Sequence, residues 1–556
     1  MKVKLLIFLS LFSIFSINAQ EDAWVYFVDK PNGANQIAAP LTILTQRALD
    51  RRTKQSIPLD IKDAPLEANY VAAVANATGI TVLARSKWLN ALHIQGSKTD
   101  IDNLIDLEFP IGTKIVSSIE FADRSIADTK NRIAKTQKVS KWDKIGKIKA
   151  LPNYGNATNQ IEILNGNVLH ENNFTGEDMY IAVMDGGFPG VKTYEAFSNV
   201  YNSGRILGGY DFVNRNDEYD AGISHGMSVL STMAGFLESD GEGTSTIDYI
   251  GTAPDASYYL FITEDGNNEV RLEESLWVEA TERADSLGVD VINTSLGYSI
   301  FFDNIDHNYE YSDMDGQTTF ISRGAEVAFS RGMILVTSAG NEGNDSSWPY
   351  INAPADAENT LTIGAVDSSG TIAGFSSYGP TSDFRVKPDV CSQGLGSYVV
   401  NGSTSVGSGS GTSYASPIMA GAVACLWQAF PTKTNAEIVQ LIKESAHLYN
   451  NPNNHEGYGI PDFESIYNKV LSVPNEELVK QFTVYPNPVK DQLFIKFPNN
   501  YEEVKVTVYN VLGKMQLQQV VKKESPSLNI AHFSKGLYMV SLSNGDVKTS
   551  FKIFKN

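Results

Sequence analysis

Four runs constrain the architecture most: YIAVM (180–184), DVIN (290–293), MILVTSA (333–339) and LTIGAV (361–366) are almost continuously apolar and do not alternate. A strand with one wet face alternates apolar and polar side chains, so a continuous run means that both faces are covered. Between these runs the sequence takes helical periodicity, over 270–287 and 322–331. Strand–helix alternation of this kind predicts an α/β fold, a doubly wound parallel sheet with helices on both faces. Such sheets place their sites at the carboxyl ends of the strands.

The flanks read differently. MKVKLLIFLSLFSIFSINA (1–19) has two early lysines, an apolar run and a terminal small residue, the pattern of a secretory signal peptide too short to span a bilayer stably. No later segment reaches eighteen apolar residues, so no transmembrane segment is expected once the signal is removed. Residues 20–122 mix short strands and helices, beginning with WVYFV at 24–28, and predict a small α+β domain. Residues 123–155 lose the pattern and carry Lys or Arg at nine positions, including Lys135, Lys138, Lys141, Lys144 and Lys147, as a solvated, protease-accessible linker does. The α/β region runs over 156–472. From 480 to 556 come short alternating strands, FTVYP, QLFIKF, VKVTVYN, GLYMVSL and TSFKIF, which predict a separate all-β sandwich. The only cysteines, Cys391 and Cys425, read as buried thiols and not as a staple.

Charge is unevenly spread. Residues 150–479 hold 12 Lys+Arg against 44 Asp+Glu, whereas 1–149 hold 21 against 15 and 480–556 hold 11 against 5. A central field of that sign repels nucleic acid and anionic lipid and favours docking of a basic flank.

The chemistry gathers around GSGSGTSYASPIMAG, residues 407–421. From Ile418 to Trp427 every residue is apolar or glycine, so the helix is buried all round. Pro417, an early interior position, removes one backbone donor from it. A serine opening a helix is ordinarily a cap, but a cap explains one serine and not the glycines before it, which let another group approach the backbone. The unpaired amides there offer donors to a developing oxyanion. Ser413 as nucleophile then needs a base and an orienting carboxylate. Of His170, His225, His307, His447 and His455, only His225 opens a small-residue helical pattern, HGMSVLSTMAG. Asp185 ends the strand YIAVM and is followed by two glycines, at the edge where open α/β sheets keep their sites.

In that order, IAVMDGGF, SHGMSVLSTMAG and SGTSYASPIMAG resemble the catalytic segments of the subtilisin-like serine proteases, the subtilases, whose triad runs Asp, His, Ser. VTSAGNEG resembles the family's oxyanion-hole motif, and INTSLGY the strand that pairs with bound peptide. The resemblance covers roughly residues 160–465 and implies a seven-stranded parallel sheet and endopeptidase activity through an acyl-enzyme. It implies Ser413 as nucleophile, His225 as general base and acid, Asp185 as its orienting carboxylate, and Asn341 with the Ser413 N–H as oxyanion donors. Ser295, Leu296 and Gly297 would bind the substrate backbone as an added strand.

The sequence departs from the family in Gly186, where threonine is common, and in Met227-Ser228, where threonine and a second histidine are usual. No proton-transfer group is touched.

The resemblance further implies that residues 20–122 are an inhibitory, folding-assisting prodomain, a partner within the chain. FTVYPNPVKDQLFIKF and GLYMVSLSNGDVKTSFKIFK resemble the sorting domain read by the type IX secretion machinery, which implies export through the periplasm to the outside or the cell surface. Polypeptides are the implied substrates. No cofactor or metal is required for the chemistry. The acidic, aromatic stretch 298–320 leaves two readings open, a structural calcium ion held by oxygen ligands or plain solvated acidity.

Three other readings compete with this one. An α/β-hydrolase needs its acid and histidine after the serine, and Asp462 with His447 or His455 lacks the strand–helix repeats to carry them. A metalloprotease would need HExxH or a paired CxxC, and the sequence has neither. The alternative function is a catalytically inactive cell-surface binding protein on the same fold.

Overall fold

The computed structural model describes residues 20–123, 153–239, 247–471, 482–498, 501–510, 514–544 and 547–556. The signal peptide read at 1–19, most of the basic linker and the junction at 472–481 lie outside the described residues.

In the N-terminal domain, β1 (Gln20–Phe27), β2 (Thr81–Ser86), β3 (Ala91–Ser97) and β4 (Val116–Phe121) form an antiparallel sheet in the order β2-β3-β1-β4. Strand alternation divides its side chains. Val25, Phe27, Leu92 and Ile94 close a small core with Tyr70 and Val74 from a covering helix, while Trp24 and His93 point to the opposite face. Helix α1 (Gln46–Lys54) brings Arg47, Arg51 and Arg52 to the same interface.

The central sheet has seven strands, all parallel: β5 (Tyr180–Asp185), β6 (Ile206–Asp211), β7 (Ser257–Ile262), β8 (Val291–Thr294), β9 (Ile334–Ser338), β10 (Leu361–Val366) and β11 (Val390–Gln393), ordered β11-β10-β9-β8-β5-β7-β6. Every residue of β8, β9 and β10 is buried, as continuous apolar runs require. Helices α2 (His225–Ala234) and α5 (Thr412–Ala429) pack together, α5 crossing β8 to β11. Helices α3 (Arg271–Leu287) and α4 (Phe320–Ser330) form the other layer, over Ala182, Met184, Ile292 and Leu335. The chain turns back on itself around β5, which puts Asp185 at the switch point.

The N-terminal domain sits on α3 and α4. Trp24 stacks on Phe320 with ring centroids 5.1 Å apart and donates from Nε1 to Ser275 Oγ at 2.8 Å. Arg51 and Arg52 both reach Asp285, at 2.5 and 2.7 Å, and Arg47 reaches Asp290 at 2.5 Å. Polarity is reversed nearby, where Arg331 of the central domain meets Asp60 at 2.9 Å and Arg323 meets Glu120 at 3.0 Å.

The C-terminal unit, considered by itself, has two antiparallel sheets around one core of Phe482, Leu493, Ile495, Val506, Val508, Val540 and Ile553. Cys391 and Cys425 are buried free thiols.

Candidate active site

Helix α5 starts at Thr412, so Ser413 is its second residue and belongs to the turn whose amides have no intrahelical acceptor. Four residues on stands Pro417, which has no N–H to give to the Ser413 carbonyl. A buried carbonyl needs a donor, and Ser295 supplies it: its Oγ donates to Ser413 O at 2.9 Å and is itself held by Asn293 Nδ2 at 3.0 Å. The Ser413 hydroxyl in turn donates to the Ser295 carbonyl at 3.2 Å. Ser295, read from sequence as a substrate contact, is therefore also bonded twice to the serine itself. Leu296 and Gly297 continue the segment beside it, with Leu296 buried.

Asp185 ends β5 and is buried. His225, first residue of α2, donates from Nδ1 to both of its carboxylate oxygens, at 2.9 and 3.0 Å. The Gly186 N–H also donates to Asp185 Oδ1, at 2.8 Å. With Nδ1–H committed to Asp185, Nε2 is the nitrogen with no partner among the described residues, and the side chain keeps 34% of its surface open. Gly226 allows this pairing, because a Cβ there would stand 2.5 Å from the Gly187 carbonyl and 2.7 Å from Asp185 Cβ. Burial works against the imidazolium, but the charge and hydrogen bond of Asp185, with Glu264 behind it, outweigh burial and raise His225 to about 9. The Tyr414 ring lies 6.1 Å from the imidazole, tilted by 35°.

Asn341 follows Gly340, whose φ of +111° suits glycine. The Asn341 carboxamide oxygen accepts from the Thr412 N–H at 2.8 Å and from the Thr412 hydroxyl at 3.1 Å, which locks the amide against the residue preceding Ser413. Its Nδ2 has no partner among the described residues and is left to donate elsewhere.

The structure thus joins His225 to Asp185, Ser413 to Ser295, and Asn341 to Thr412 beside Ser413, while among the described residues no hydrogen bond joins the His225 ring to the Ser413 hydroxyl, which donates to the Ser295 carbonyl instead. Sequence reasoning missed Glu264, Tyr298 and Tyr414. It also missed the locking role of Ser295, although Pro417 four residues after Ser413 was the signal for it. The other histidines have separate partners: His170 bonds Tyr154 and the Thr252 carbonyl, His307 pairs with Asp123, the His447 ring accepts from the Ile460 N–H, and His455 stacks on Tyr378. In 298–320, Asp313 and Asp315 accept from backbone N–H groups of their own turns. Among the described residues no group of three or more His, Cys, Asp or Glu side chains is placed to hold a metal ion.

Three family models match the chain: the subtilase family over residues 176–459, the Bacteroidota propeptide domain of the same peptidases over 22–141, and a secretion system C-terminal sorting domain over 483–556. The sorting domain marks the protein for export, secreted or at the cell surface. No helix among the described residues is long and apolar enough to cross a membrane. Subtilisin NAT of Bacillus subtilis subsp. natto is 31% identical over 286 residues, covering 51% of this chain and 64% of that protein. Subtilisin of Bacillus pumilus is 30% identical over 281 residues, covering 50% and 87%. Serine protease AprX of Bacillus subtilis (strain 168) is 30% identical over 295 residues, covering 48% and 61%. With the matched segments, the parallel sheet and the pairing of His225 with Asp185, the chain belongs to the subtilase family.

Proposed function

We propose that the protein is a secreted serine endopeptidase, made as a precursor whose N-terminal domain inhibits it and assists its folding. The observation that carries this reading is the bifurcated hydrogen bond from His225 Nδ1 to both oxygens of Asp185, at 2.9 and 3.0 Å, on helix α2, which packs against the helix that carries Ser413. In the reaction, Ser413 Oγ leaves the Ser295 carbonyl and attacks the scissile carbonyl carbon as His225 Nε2 takes its proton. Asp185 fixes the tautomer and stabilises the imidazolium. Asn341 Nδ2 and the Ser413 N–H donate to the oxyanion. The C–N bond then breaks as His225 returns the proton to the leaving amine. Water, deprotonated by the same imidazole, hydrolyses the acyl-enzyme and regenerates the hydroxyl. The segment 295–297 binds the substrate backbone as an added strand. No step calls for a cofactor.

The test is covalent. A fluorophosphonate probe labels the processed protein at Ser413, and Ser413→Ala abolishes labelling and peptide hydrolysis together. A processed wild-type protein that takes no label and cleaves no peptide is instead an inactive binding protein on this fold.

A further inference from the structure

The stretch 298–320 is acidic by composition, but the two side chains it presents to Asp123, just past the end of β4, are donors. Asn304 opens the short turn Ile305–His307, and its Oδ1 accepts from the Asp306 N–H at 3.1 Å, which leaves Nδ2 for another partner. That Nδ2 donates to Asp123 Oδ1 at 3.2 Å, and His307 Nε2 stands 2.8 Å from the same oxygen. His307 is buried, and its Nδ1 has no hydrogen-bond partner among the described residues, so the ring proton sits on Nε2 and is given to the carboxylate. What holds the pair belongs to the subtilase domain. Arg271 donates to the His307 carbonyl at 2.5 Å, and Phe302 packs edge-on against the His307 ring with centroids 6.4 Å apart. Departure of the N-terminal domain therefore takes Asp123 away and leaves both donors in place.

We propose that His307 and Asn304 form a carboxylate-binding subsite of the protease: Asp123 fills it in the precursor, and an Asp or Glu side chain of the polypeptide substrate fills it in the processed protein. This rests on the endopeptidase reading of Ser413. The place of the subsite follows from bonded and stacked neighbours. Ser413 bonds Ser295, and the segment 295–297 leads from there to Tyr298. The Tyr298 ring stacks on Phe302 with centroids 5.9 Å apart, and Phe302 in turn meets His307. Those two steps span at most about 12 Å, the length of roughly four extended residues. A polypeptide paired with 295–297 and continuing past Tyr298 therefore reaches the subsite roughly four residues beyond the paired segment. The ligand class follows from the donors. Both converge on one oxygen, and neither side chain has an acceptor to spare, since Asn304 Oδ1 is committed to its own turn and His307 Nδ1 is buried. Such a pair selects an anion over a cation, and a carboxylate accepts more strongly than a neutral amide. Asp303, the neighbouring acid, turns a carboxylate oxygen to the Glu269 N–H at 3.1 Å.

The experiment measures kcat/KM of the processed protein for a peptide series in which one Asp, or its isostere Asn, is moved residue by residue along each side of a fixed scissile bond. At one position the wild type favours Asp over Asn about 3- to 10-fold relative to the neighbouring positions, chiefly through KM. Because the Asp-to-Asn ratio is taken within one protein, a general loss of activity in a variant cancels from it. His307→Ala brings the ratio at that position to within about twofold of its neighbours, and Asn304→Asp reverses it, since one carboxylate then faces another. A preference that survives in both variants overturns the proposal. Should His307→Ala not fold, Asn304→Asp decides: a reversed ratio supports the proposal and an unchanged one overturns it. A wild type that cleaves no peptide and takes no fluorophosphonate label overturns the endopeptidase reading and this inference with it. An active wild type whose ratio is flat along the whole series, as a contact serving the precursor alone would give, overturns this inference alone.

Discussion

Acid should loosen the N-terminal domain from the subtilase domain, and His93 supplies most of the effect. Its imidazole is buried between Trp24 and α3, with Nδ1 on Ser275 Oγ at 2.9 Å and Nε2 buried without a partner. Burial, followed by the positive charges of His307 and Arg271, lowers it from 6.5 to about 3. When the domains separate, the ring returns to water and to the ordinary value. The docked state thus binds fewer protons than the separated one, so docking is at full strength above about pH 6.5 and weakens as pH falls toward 3. At pH 5 the 6.5 reference alone gives roughly a 30-fold loss, about 2 kcal/mol. The assay is retention of the cleaved N-terminal domain, or its inhibition constant against peptide hydrolysis, from about pH 7.5 down to 5. His93→Gln, which has no proton to gain, should flatten most of that dependence. An affinity unchanged down to pH 5, or one that falls equally in His93→Gln, would refute the assignment.

Other perturbations have calculable outcomes. Arg52→Met takes from Asp63 and Asp285, both fully buried, one of the two cations each has, leaving Arg331 at 3.5 Å and Arg51 at 2.5 Å, and should cost about 1–3 kcal/mol in denaturant unfolding of the Ser413→Ala precursor. Ser295→Ala leaves the Ser413 carbonyl without the donor that Pro417 cannot supply, so unfolding should show a loss of about 1–3 kcal/mol, and probe labelling should slow. Asn341→Ala should lower kcat by roughly 10²–10³ with KM little changed, since in the proposed mechanism its amide donates to the oxyanion and not to the ground state.

What could be read from the chain follows a physical division. The sheet was legible because strands buried on both faces must be apolar throughout, as β8, β9 and β10 are. Asp185, His225 and Ser413 were legible because each lies at or next to the end of an element beside glycines that admit a neighbouring group, as the close approach of Gly226 to Asp185 shows. Ser295 was half legible: its segment pointed to substrate, but its bond to Ser413 O follows from a proline 122 positions later in the chain. Glu264 left no local trace. Its place depends on Ile262 lying level with Asp185 and on the loop past β7 folding toward Tyr298, and neither register nor loop path is encoded in spacing.

Net charge pointed to a basic flank docking on an acidic domain, and the interface shows where that argument stops. Arg51 and Arg52 do reach Asp285, but Arg331 of the subtilase domain reaches back to Asp60 and Asp63. Each partner therefore contributes both signs to one network, in which Arg51, Arg52, Asp63, Asp285 and Arg331 are all buried. The two scales respond differently to salt. Long-range attraction between net charges is screened over about 8 Å at physiological ionic strength, whereas pairs removed from water are screened far less. Raising salt from about 0.05 to 0.5 M should therefore slow association of a cleaved segment that keeps the basic linker, residues 20–149 with 19 Lys+Arg against 15 Asp+Glu, several-fold or more and leave its dissociation rate within about twofold. Stopped-flow association and jump-dilution release measure the two rates separately. A dissociation rate that climbs with salt as steeply as association falls would mean that the network is wet, and the buried alternation of sign would then not be what holds the domain in place.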